Sequence, residues 1–237
     1  MNQDSRHFFE ELEHLKQRVI AMAGLVENRM RLAVDGLLEG NQILLGEVIV
    51  GDSRINDLQM EIDERCLELI ALQHPVAGDL RTVMSAFKIN ADLERVGDLA
   101  VNVALAAQKY FQHPPVKRLI DIPRMGTLAV SMLHEAIDAF VARDVVRAQN
   151  VLRQDDWVDT LRDQILRELL TYMLGNPATV EPALELIFIS QHLERVGDHA
   201  TNIAEDVIFI VDGRDVRHGS GPRAGDERRR RWHPAPV

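Results

Sequence analysis

Cysteine is nearly missing from this chain: Cys66 is the only one in 237 residues, so no internal disulfide can form and one chain cannot build a cysteine-based zinc site. Aromatic residues are scarce, at 5%. There is no uninterrupted apolar run of about 18 residues and no charged-then-apolar leader ending in a small-residue cleavage site. Neither a membrane span nor a secretory signal is therefore expected, and the cytoplasm is the default location. No Gly-Lys pair occurs, which excludes the phosphate-cradling loop of a nucleotide hydrolase. A di-iron carboxylate enzyme would need two inward Glu-x-x-His units, and the one such spacing, Glu11 to His14, lies far from the other acidic motifs. No catalytic constellation remains, so neither an enzyme nor an organic cofactor is expected.

Charge is present but uneven. The net charge is −10. From Asp212 onward seven Arg face four acids, a local +3, so the remainder carries −10 − 3 = −13. An acidic body disfavours nucleic-acid binding, which needs clustered Lys and Arg on a folded face. The run Arg228 to Arg231, among Gly, Pro and Asp, reads as a disordered basic tail spanning 214–237 and, by composition, a solvated and silent one.

Hydrophobic residues make up 46% of the chain and charged ones 27%, enough for one large or two smaller cores. Apolar residues recur at three and four from Ser5 to Leu45, Asp52 to Leu72, Asp79 to Tyr110, Ile122 to Leu152, Asp155 to Leu174 and Pro182 to Val211. The pattern predicts six helices with no competing strand. Gly51-Asp52, His74-Pro75, His113-Pro114-Pro115 and Gly175-Asn176-Pro177 supply the breaks. Cys66, at helical spacing from Ile62 and Leu69, reads as a small core residue.

The chain repeats itself. Sliding it by 103 aligns Met22/Met125, Leu25/Leu128, Ala33/Ala136, Asp35/Asp138, Asp52/Asp155, Leu58/Leu161 and Ile62/Ile165 without a gap. Near the proline turn the offset becomes 100, and "LERVGD" at Leu93–Asp98 returns at Leu193–Asp198. Three amphipathic helices per half can bury their stripes on one another. The expected fold is all-α, two tandem three-helix bundles covering 1–113 and 114–213.

At about 100° per residue, Ile89, Leu93, Val96, Ala100, Val103 and Ala107 form one core stripe, and Ile189, Leu193, Val196, Ala200, Ile203 and Val207 repeat it. Glu94, Asp98 and Asn102, like Glu194, Asp198 and Asn202, fall on the opposite side as a ladder of oxygen donors. A lone acidic pair at this spacing is most simply a solvated face. Here, however, like charges sit one turn apart across a poor helix former, Gly97, and the unit is written twice. Stacked carboxylates can ligate a hard cation, with Mg, Mn or Fe preferred over thiolate-seeking metals. Asp52 with Asn56 and Asp155 with Asp159 could add ligands from the neighbouring helices, and N-capping is the competing role of Asp52 and Asp155. Arg81, Lys88, Arg95 and Arg195 read as structural counter-charges.

Asp52 with Ile55-Asn56 and Ile62-Asp63, "HPVAGDLR" at His74–Arg81, "LERVGDLAVNVA" at Leu93–Ala104, "LERVGDHATNIAED" at Leu193–Asp206, "MAGLVE" at Met22–Glu27, and "TYML" followed by "VDGRDVRH" at Val211–His218 closely resemble the PhoU family of phosphate-transport accessory proteins. The resemblance covers nearly the whole chain. It implies paired three-helix bundles, a cytoplasmic homodimer held peripherally at the inner membrane by its partners, and repression of the phosphate-starvation response. The implied partners are the ATPase subunit of the phosphate ABC transporter and its sensor histidine kinase. The family's acid-x-x-x-Asp pattern, associated with multinuclear iron or zinc clusters, carries over to Glu94/Asp98 and Glu194/Asp198, and less directly to Asp52, Asn56, Asp155 and Asp159. Asn56 stands where the second half has Asp159, so two clusters would differ in charge. The competing reading is a metal-free helical scaffold.

Overall fold

The computed structural model describes residues 3–51, 53–214 and 216, with side chains from residue 7 onward. Its helices are α1 Gln3–Glu39, α2 Gln42–Val50, α3 Ser53–Gln73, α4 Gly78–Tyr110, α5 Asp121–Ala142, α6 Val145–Gly175 and α7 Val180–Asp212, with a 3-10 turn at Pro177–Thr179. No strand occurs among the described residues. The six long helices form two tandem three-helix bundles, α1/α3/α4 and α5/α6/α7, and nine-residue α2 packs on α1 and α4. All twelve stripe residues of α4 and α7 are buried. Burying a Leu or Ile in this way contributes about 1.5–3 kcal/mol per side chain.

Helices α4 and α7 pack on each other more extensively than any other pair. Lys88 Nζ lies 3.0 Å from Asp206 Oδ1, while Asp92 Oδ1 lies 2.7 Å from His199 Nδ1. The partners run in opposite order along the two helices, so α4 and α7 are antiparallel and the two LERVGD segments meet near the middle. The repeat thus produces an approximate two-fold at the centre of the molecule, and its buried residues join one continuous core.

Two helix boundaries differ from the sequence expectation. The helix expected over Ser5–Leu45 stops at Glu39: Gly40 turns left-handed at φ 64 and Asn41 caps α2, its Oδ1 accepting from the backbone N–H of Ile43 and Leu44. In the second half the expected break between Leu152 and Asp155 is absent. The chain breaks earlier, where Arg143 is left-handed at φ 52 and Asp144 caps α6 by accepting from Val146 and Arg147 N–H. Adding 103 to 40 and 41 gives 143 and 144, so both repeats turn at the same place. Only the first repeat turns again, at Gly51 with φ 82; the second has Gln154 there. A residue with a Cβ favours continuing the helix where Gly permits the turn.

By length and composition α5 is apolar enough to cross a membrane, yet Met125, Ala129, Met132, Leu133, Ala136 and Phe140 are buried core residues of the bundle. Cys66 is buried as expected; its thiol donates to Val83 O at 3.7 Å, and burial pushes its pKa up to about 12. The expected basic tail, 214–237, lies outside the described residues apart from Arg214 and Val216.

Candidate functional site

The repeated motif places its glycine at a helix crossing. A Cβ on Gly197 would sit 3.5 Å from Asp155 Oδ1 and 3.6 Å from Val158 Cγ1, so the bare backbone of α7 lets α6 bring Asp155 against it. The capping role considered for Asp155 is thereby overturned, because Asp155 lies inside continuous α6 and Asp144 is the cap. This carboxylate is half-buried. Its pKa is pushed up to about 6, first by burial and then by the charges of Asp198, Asp159 and Asp156. Burial raises Glu194 and Asp198 as well, with Asp198 acting next on Glu194 and Asp159 next on Asp198. Burial and neighbouring carboxylates from α6 and α7 therefore raise Asp155, Glu194 and Asp198 together. One cation answers them directly: Arg162 Nη1 donates to Glu194 Oε1 at 3.1 Å and Nη2 to Asp163 Oδ1 at 2.9 Å.

In the first repeat the motif glycine again faces the neighbouring helix, and Asn56 stands where the second repeat has Asp159. Gly97 faces Ile55, whose Cδ1 would lie 3.6 Å from an added Cβ. Glu94 is raised by burial and next by Asp98, with Arg95 Nε 3.7 Å away as a counter-charge. Asn56 and Asp98 are exposed and Asn102 half-buried. Asp52 lies outside the described residues. Asn202 is engaged with the other half, its Nδ2 donating to Asp92 Oδ1 at 3.3 Å. Of the expected counter-charges, Lys88 pairs with buried Asp206 and Arg95 with Glu94. Arg195 bears on Asp198, and the guanidinium of Arg81 packs against Gly213.

Among the described residues no group of three or more His, Cys, Asp or Glu side chains converges in a way that could hold a metal ion. The side chains as placed form mutually repelling pairs, with Arg162 already on one of them, and fall short of a coordination set. Sequence reasoning passed over Arg162, the Asp92–His199 contact and Lys88–Asp206. A signal for the last two was available: the 100-residue offset pairs Asp92 with His192, Leu99 with His199, Lys88 with Phe188 and Ala106 with Asp206. Polar residues that break a repeat are candidates for contacts between its copies.

Fold and site define a tandem-repeat helical protein whose two copies of one acidic helix meet at its centre. The family model for the PhoU domain matches residues 19–107 and 122–207. The phosphate-specific transport system accessory protein PhoU of Serratia marcescens is 36% identical over 217 residues, 92% of this chain and 89% of that protein. The homolog from Aquifex aeolicus (strain VF5) is 41% identical over 210 residues, 89% and 95% of the two chains. The crystal structure of PhoU from Pseudomonas aeruginosa matches with a TM-score of 0.84 at 38% identity, covering 87% of this chain and 100% of that one. The phosphate transport system regulatory protein PhoU from Streptococcus pneumoniae matches with a TM-score of 0.81 at 28% identity, covering 88% and 99%. The chain belongs to the PhoU family.

Proposed function

We propose that this protein is a non-catalytic regulator of phosphate uptake and a repressor of the phosphate-starvation genes. It works as a cytoplasmic homodimer that links the ATPase subunit of the phosphate ABC transporter to a sensor histidine kinase, associates with the membrane through those partners, and binds no nucleic acid. The observation that carries this reading is the PhoU match in both repeats, with relatives along about nine-tenths of the chain that are named for phosphate transport. Its acidic body adds a physical argument against nucleic acid. The working units are repeat 1 at 1–113, repeat 2 at 114–213 and a basic tail at 214–237. Purification from cells grown in high phosphate should recover both the transporter ATPase and the kinase. Recovering neither would overturn the adaptor reading.

We further propose that the repeated acidic helices take up a hard cation, of the Mg, Mn, Fe or Zn kind. Glu194, Asp198, Asp155 and Asp159 would hold it in the second repeat, and Glu94 and Asp98 in the first, with Asp52, Asn56, Asn102 and Asn202 as weaker oxygen donors. When bound, the ion would supply charge neutralisation. The support is half-buried Asp155, whose pKa burial and then the charges of neighbouring carboxylates push up to about 6. A metal-free scaffold is the second reading, favoured by the missing three-donor set. Elemental analysis of the parent and of an Asp98→Asn, Asp198→Asn double variant separates them. Metal in the parent that falls in the variant supports ligation; a parent without metal selects the scaffold.

A further inference from the structure

A groove of about 730 Å³ runs between α5 and α6, away from the acidic helices. Its length is pinned at both ends. At one end Gln164 Nε2 donates to Asp121 Oδ2 at 3.4 Å; at the other Asn150 and Gln154 both donate to Glu135, at 2.7 and 2.5 Å. Between these ties no hydrogen bond or ion pair joins the two helices among the described residues. Leu128 and Leu161 supply an apolar floor, while Trp157, Arg124, Ser131 and Gln164 supply the rim.

Two rim residues are out of place on an ordinary surface. Trp157 is 67% exposed, which leaves its indole face open to a stacking partner. Arg124 makes no ion pair or hydrogen bond with any described residue, although the body around it has an excess of acids. The first repeat lacks the Trp and Arg: Ala21 and Arg54 occupy the positions of Arg124 and Trp157, while the Arg18–Glu61 ion pair ties α1 to α3 where Asp121 and Gln164 tie α5 to α6. The Arg124–Trp157 pair is therefore peculiar to the second repeat.

We propose that this groove binds a nucleoside monophosphate. The antiparallel register set by the end ties puts Trp157 near Ser131 and Arg124 toward Gln164, one to two helical turns away, or about 5–10 Å along the axis. That separation fits a base stacked on the indole and a phosphate on the guanidinium, and Arg suits phosphate oxygens better than Lys does. Ser131 and Gln164 offer hydrogen bonds to the sugar or base edge. The volume lies within the range of small-molecule sites, roughly 300–1,000 Å³. The inference is independent of the adaptor and metal readings.

The test uses the full chain carrying Trp232→Phe, which leaves Trp157 as the single indole. Adenosine monophosphate should shift the Trp157 indole N–H resonance saturably. Ribose 5-phosphate and inorganic phosphate should bind far more weakly. Arg124→Gln, an exposed change that leaves the core alone, should weaken binding about tenfold, the size expected for one charge-assisted hydrogen bond. No saturable shift at millimolar nucleotide, equal binding of ribose 5-phosphate, or parent affinity in Arg124→Gln would each overturn the proposal.

Discussion

The two halves share one core and differ on their polar faces. Every core position of the α4 stripe has its counterpart in α7, and both members of each pair are buried. Away from that stripe the copies differ in places. Gly51 breaks the first repeat where Gln154 lets α6 run on, and Asn56 stands opposite Asp159. Packing restrains the core because a change of one methylene is felt there. The partly solvated face carries no such restraint, and in the second repeat it has gathered carboxylates, one of which, Glu194, is paired with Arg162. Symmetry in this chain is thus a property of burial, and charge is where the halves became different.

The largest expected effect tests the shared core. Leu93 and Leu193 are both fully buried, so Leu93→Ala and Leu193→Ala should each cost about 3 kcal/mol, within the usual 2–5 kcal/mol for such a cavity. Urea denaturation followed by circular dichroism measures this directly. The continuous core and the broad α4–α7 contact predict a single cooperative transition in the parent and in both variants. Two transitions, or costs differing by far more than 1 kcal/mol, would break the equivalence of the halves.

The next effect concerns charge and should be larger in the second half. The folded-state pKa of Asp155 stands at about 6, above the ordinary 3.8, so the folded protein holds this proton more tightly than the unfolded chain. The resulting penalty is absent below the ordinary carboxylate value, grows as pH rises toward 6, and is complete above it. Asp155→Asn should therefore stabilise the metal-free protein by about 1 kcal/mol at neutral pH, a figure already reduced for solvent screening, and change little in acid. Melting curves across pH check the sign. Asn56→Asp probes the reverse, adding a charge to the first half at an exposed site, with an expected loss of a few tenths of a kcal/mol.

How far the sequence foretold this follows from which forces are periodic. The core stripe, the offset of 103 and the burial of Cys66 were legible because burial imposes a 3.6-residue rhythm that survives in residue types. Gly40-Asn41 is a turn-forming pair, but the apolar spacing on either side runs through it as one helical pattern. Arg143 gave no warning, since a left-handed Arg has no sequence mark and only its register with Gly40 reveals it. Asp155 as a desolvated carboxylate was illegible for a different reason: its burial comes from α7 crossing at Gly197, forty-two positions away in the chain. The helical wheel placed the acid ladder opposite the stripe but could not show what packs over it.

The last effect compares the two motif glycines themselves. Gly in a helix interior costs roughly 0.5–1 kcal/mol relative to Ala, so replacement should help wherever a methyl fits. At Gly97 the new Cβ would meet Ile55 Cδ1 at 3.6 Å, Ile55 Cγ2 at 3.7 Å and Val26 Cγ2 at 3.9 Å, all ordinary apolar contacts. Gly97→Ala should thus raise stability by about 0.5–1 kcal/mol at any pH. At Gly197 the nearest atom is Asp155 Oδ1, at 3.5 Å. A methyl there would strip water from a carboxylate already raised by burial, offsetting the helical gain while that group is ionised. The two substitutions should therefore match in acid, where Asp155 is protonated, and diverge above about pH 6, where Gly197→Ala loses its benefit. Paired melts at both extremes read the difference. Equal gains at neutral pH would mean that the Asp155 carboxylate keeps its water, and that the two halves differ in sequence without differing in electrostatic strain.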